Sequence, residues 1–153
     1  MVSIRDNDGF AFCGATLLTP YYAVTAAHCK EFAKLKYYRV TAGHMQRYYR
    51  QSMEEKGFQE RKLVMFENHP RYDSLELEND LAMLKVDRPF QFTDYVKPAC
   101  LVPENFQFNE RVECLISGWG NTARHDRPDD YMDTMQKAIV SYFSPTQCNA
   151  KNQ

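Results

Sequence analysis

The chain has 153 residues, 44% hydrophobic and 14% aromatic, with a formal net charge of −1. That length holds one ordinary domain with a real core, short of the roughly 200–250 residues to which all-β barrels often run. The near-neutral balance removes any electrostatic case for nucleic acid or an anionic membrane surface, and the aromatic content argues against disorder.

Helical periodicity is poor, and strand-length runs are separated by turn signals. Phe10 to Leu18 reads as a strand, Thr19-Pro20 turns the chain, and Tyr21 to Thr25 reads as the next strand. Tyr37 to Ala42 alternates weakly and Gly43 closes it. Gln46 to Gln59 is polar, aromatic and charged, and reads as an exposed loop. Lys62 to Phe66 is a strand, followed by a turn at His69-Pro70-Arg71-Tyr72-Asp73. Leu81 to Val86 is nearly continuous and apolar, as expected of a strand buried on much of both faces. Pro89 to Pro103 reads as a connector. Arg111 to Ser117 is a strand ended by Gly118-Trp119-Gly120, Asn121 to Asp130 is a charged loop, and Met135 to Tyr142 is a further strand. Ser144-Pro145-Thr146-Gln147 reads as a helix start, with a serine cap and proline at the first position. Many short strands make the class all-β, and the pattern leaves barrel and sandwich open.

No apolar stretch approaches the roughly 18–20 residues of a membrane span. Residues 1–8 show no apolar core of a signal peptide. Yet five widely spaced cysteines suggest an oxidising compartment, and an odd count leaves at least one without an intrachain partner. The other reading is a cytosolic chain with five free thiols. Missing ends of a longer secreted precursor explain both oddities at once.

Three motifs stand out: Val24-Thr25-Ala26-Ala27-His28-Cys29, then Asn79-Asp80-Leu81-Ala82-Met83-Leu84, then Ser117-Gly118-Trp119-Gly120. Together they resemble the first part of a chymotrypsin/trypsin-like serine endopeptidase, over about Phe10 to Cys148. The resemblance implies two antiparallel β-barrels packed face to face. Residues 1–95 would form the first, nearly complete. Residues 96–110 would connect, and 111–153 would only begin the second. It also implies protein or peptide substrates, protease inhibitors as partners, no cofactor or metal, and a secreted, extracellular location for the intact protein.

In this resemblance His28 is the general base and acid, and Asp80 accepts a hydrogen bond from one ring nitrogen, fixing the tautomer and stabilising the imidazolium. Small Ala26 and Ala27 let the backbone turn tightly. The resemblance pairs Cys13 with Cys29, closing a loop of 17 residues that contributes roughly 3 kcal/mol in the chain-entropy model. It leaves Cys100, Cys114 and Cys148 with partners elsewhere; the alternative is three buried free thiols. Leu77 and Glu78, just before Asn79-Asp80, would line the substrate cleft.

The family's nucleophile sits in Gly-Asp-Ser-Gly-Gly. None of Ser3, Ser52, Ser74, Ser117, Ser141 and Ser144 has that context. The amino end lacks the Ile-Val-Gly-Gly activation motif, and Met1-Val2-Ser3-Ile4 resembles the strand after it. The expectation is a fragment, inactive as given, that carries the histidine and aspartate without the serine. The rival reading is a non-catalytic protease homologue that binds proteins. A short product acting as an interaction module is a third. His44, His69 and His125 are not metal-spaced and read as surface residues. Glu54, Glu55 and Glu60 fall where some relatives hold calcium, and a solvated charged loop is the competing reading.

Overall fold

In the computed structural model of the protein, the residues described are 1–32, 34–108, 112–121, 132–144 and 146–148. Six strands close into an antiparallel barrel: β1 (Val2–Arg5), β2 (Ala11–Leu17), β3 (Tyr22–Thr25), β4 (Arg39–Ala42), β5 (Gln59–Asn68) and β6 (Ala82–Val86). Their order around the barrel is β1-β2-β3-β6-β5-β4. The all-β expectation holds, and closure settles the choice between barrel and sandwich. A closed sheet also leaves no unpaired edge.

The barrel core follows the two-residue period of strands. Ala82, Leu84 and Val86 of β6 are buried while Met83 is exposed, so this strand buries one face rather than both. Val2 and Ile4 of β1 join the core, with Leu17, Val40, Leu63 and Phe66 from its neighbours. Phe90 and Val96 also pack there, and the Ala99 amide donates to the Leu17 carbonyl at 2.8 Å. The chain accordingly divides into two compact units, Met1–Cys100 and Leu101–Gln153.

The opposite face of β1 carries Ser3 and Arg5, and both are fully buried. The segment read as an exposed loop covers them. It contains a short helix, α1 (Tyr49–Met53), whose Ser52 is fully buried. A buried guanidinium must spend its donors on protein acceptors. Arg5 does so: Nε faces Ser3 Oγ and Thr41 Oγ1, Nη1 donates to the carbonyls of Gly9 and Arg47, and Nη2 donates to Ser52 Oγ. The Arg47 contact is the shortest, at 2.6 Å. His44 belongs to the same cluster and is buried, not a surface residue. Gly43 makes the crossing possible, with φ of +73° and no room for a Cβ against the Gly57 carbonyl.

The second unit holds a two-stranded antiparallel sheet of β7 (Glu113–Gly118) and β8 (Gln136–Ser141). Leu115 pairs with Ile139, and both are exposed. Ser144 starts a helical turn over 146–148: its Oγ accepts the Gln147 amide at 3.3 Å. Pro145, His125 and nearly all of the charged loop of residues 121–130 lie outside the described residues.

Candidate active site

Two neighbouring strand ends build the site. β3 pairs with β6, so that Thr25 lies opposite Ala82. His28 follows β3 in a 3₁₀ helix, Ala27–Phe32, and Asp80 precedes β6. Thr25 Oγ1 donates to the Gly14 carbonyl at 2.7 Å, tying the strand end to β2. The Cys13–Cys29 disulfide, implied by resemblance, is present and fastens the histidine turn to β2. Behind it, fully buried Tyr38 directs its hydroxyl at the carbonyls of Cys29 and Lys30, at 3.3 and 2.9 Å. These are carbonyls of the histidine's own helical turn, where helix geometry leaves acceptors unpaired.

Asp80 is presented by a strained turn. Leu77 and Asn79 both have positive φ, 53° and 51°. Asparagine tolerates this region better than leucine, because its short polar side chain bonds locally. Asn79 Nδ2 donates to the Arg71 carbonyl at 2.9 Å, and the Leu81 amide donates to the Asn79 carbonyl at 2.7 Å. The last bond closes a three-residue turn centred on Asp80. Asp73 braces the loop by accepting the amides of Leu75 and Glu76. Leu77 and Glu78 therefore sit exposed in the loop that carries Asp80.

The two side chains meet although 52 residues separate them. His28 Nδ1 lies 2.7 Å from Asp80 Oδ2, and the His28 backbone amide donates to Oδ1 at 2.9 Å. A carboxylate only accepts, so Nδ1 carries the hydrogen, and in the neutral ring Nε2 holds the lone pair. The imidazole is about half exposed, at 45%. The ring and amide hydrogen bonds from His28 hold the Asp80 carboxyl below its ordinary range. Its charge-dependent contribution to stability is therefore present above the ordinary carboxylate value. It is lost as pH falls through the lowered one.

Other sequence candidates lie elsewhere. Glu55 accepts the amides of Met45 and Gln46, and Glu60 accepts the Tyr49 hydroxyl. Those oxygens are committed to protein donors. The Cys13, His28 and Cys29 ligand atoms lie within 4.8 Å of one another, but a disulfide offers no thiolate to a metal. Sequence reasoning missed Tyr38, which lies in none of the motifs, and the bracing of Asn79, whose partner is a backbone carbonyl eight residues away.

The trypsin family model matches residues 1–153. The chain belongs to the trypsin family. Its β1–β6 unit is that family's kind of barrel, with a second sheet begun beside it in sequence. The chain is also similar to the rat (Rattus norvegicus) protein "Transmembrane protease serine 9", 33% identical over 97% of this trypsin-family chain. It spans 14% of that relative's length. No helix among the described residues is long and apolar enough to cross a membrane.

Proposed function

We propose that this chain carries the general base and its orienting carboxylate for a serine endopeptidase that cleaves peptide bonds by acyl transfer. The supporting observation is the two-point hold of Asp80 on His28, at 2.7 and 2.9 Å. The backbone bond orients the carboxylate, and the ring bond to that carboxylate sets the direction of the imidazole and its tautomer.

In this reading His28 Nε2 takes the proton of an attacking serine hydroxyl. Asp80 stabilises the imidazolium that forms, and Nε2 returns the proton to the leaving amine. Hydrolysis also needs a serine and oxyanion-hole donors, and none of the chain's six serines has the nucleophile's sequence context. Residues 1–153 taken alone are therefore read as inactive. Protein or peptide substrates, inhibitor partners and a secreted location follow from the same reading. Exposed Leu77 and Glu78 would contact the substrate ahead of the scissile bond.

The test is amidase activity and fluorophosphonate labelling of the longest natural polypeptide containing residues 1–153, beside Asp80→Asn and His28→Ala. Asp80→Asn should lower kcat by about 10⁴, the loss typical of a Ser-His-Asp triad. Undiminished kcat in either variant would overturn the assignment. An intact, folded polypeptide that neither labels nor cleaves would instead make it a protein-binding homologue.

A further inference from the structure

A groove of about 820 Å³ opens between the start of β5 and the segment after β6. Asp80 precedes β6 by two residues and Arg88 follows it by two. Extended chain advances about 3.3 Å per residue, so the groove and the histidine–aspartate pair lie roughly 25 Å apart along the strand. The two are separate features of one barrel.

Lys56, Arg61 and Arg88 stand around the groove, against one lining acid, Asp94. Three of the five Arg61 N–H donors go to neutral oxygens: Pro89 O at 2.9 Å, Glu60 O at 2.7 Å and Gln59 Oε1 at 2.8 Å. Its guanidinium lies 4.9 Å from the centre of the Phe90 ring. Arg88 donates to the Glu60 carbonyl. Among the described residues, none of these three cations is within ion-pair distance of a carboxylate. Burial, and then repulsion from Arg88, push the Arg61 pKa down. Asp87 offsets part of that repulsion, and three cations around one groove against a single lining acid favour an incoming anion. The groove also has an aromatic wall, Phe58 and the largely exposed Tyr95.

We propose that this groove binds an acidic peptide segment, with carboxylates on Lys56, Arg61 and Arg88 and an apolar side chain against Phe58 and Tyr95. The aromatic wall favours a peptide over a sulfated polysaccharide, which has no apolar side chain to bury. Bidentate carboxylate geometry suits the two guanidiniums. This site goes beyond hydrolysis and does not rest on it.

The experiment is fluorescence anisotropy on the full 153-residue chain, with a labelled peptide of glutamates flanking one phenylalanine. The matching glutamine peptide and a sulfated polysaccharide are run beside it. The acidic peptide should bind, and binding should weaken as salt rises. Lys56→Gln and Arg88→Gln should each weaken it roughly two- to five-fold, the scale of one exposed charge pair. Asp94→Asn should tighten it by a similar factor, a gain that misfolding cannot imitate. Arg61 is left intact because it also holds the groove wall. Equal binding of the glutamine peptide, or no response to Asp94→Asn, would overturn the proposal. So would binding of the polysaccharide alone.

Discussion

The Tyr38 hydroxyl lies 2.9 Å from the Lys30 carbonyl, so a core residue of the barrel holds the turn that carries His28. Tyr38→Phe keeps the ring and its tilted packing on Phe12 and Phe66, and removes only the donor. The expected loss is about 1 kcal/mol, a fall in Tm of about 2–4 °C by thermal denaturation. Tyr38→Ala should lose about 3–5 kcal/mol, because it adds a cavity.

Burial lowers the Arg5 pKa to about 10, so the group remains charged at neutral pH. Replacing it with methionine preserves length but leaves the Gly9 and Arg47 carbonyls and Ser52 Oγ short of a donor. Each buried orphan costs about 1–3 kcal/mol. Urea denaturation should show Arg5→Met losing at least about 3 kcal/mol. Hydrogen exchange should accelerate first at Gln46 to Met53.

His44 should make the barrel acid-sensitive. Burial pushes its pKa below 6.5, opposed by the Gln46 carbonyl that accepts from Nδ1 and reinforced by the nearby Arg5 charge, with Glu55 pulling the other way. The folded state therefore binds a proton less readily than the unfolded chain. Stability is lost as pH falls below 6.5 toward the lowered folded value, at no more than about 1.4 kcal/mol per pH unit. Urea midpoints at pH 7 and pH 5 measure this, and His44→Gln should flatten the difference.

The disulfide spans a sequence separation of 16 residues. Cys13→Ala with Cys29→Ala should lower stability by roughly 3 kcal/mol if its effect is on the unfolded chain. Because Cys29 adjoins His28, the same variant should also broaden the His28 ring resonances by NMR. Unchanged resonances would assign the bridge a stability role only.

Much of the candidate site was legible in the sequence because its signals are local. Thr25-Ala26-Ala27-His28-Cys29 and Asn79-Asp80 are contiguous motifs, and the apolar alternation of Ala82, Leu84 and Val86 marks a barrel strand. Residues 46–59 and His44 were misread for a physical reason. A polar composition says that a segment can face water, not whether another strand needs it as a lid. The polar face of β1 holds Ser3 and Arg5, and their donors and acceptors had to be met by backbone from a distant loop. The sequence by itself determined the strand class and the family, and it marked His28 and Asp80 as the candidate acid–base pair. Only the tertiary structure decided that Asp80 grips His28 at two points, that Tyr38 stands behind the turn, and that Lys56, Arg61 and Arg88 share one groove. Those relations depend on barrel closure, which brings strand ends distant in sequence within hydrogen-bonding reach.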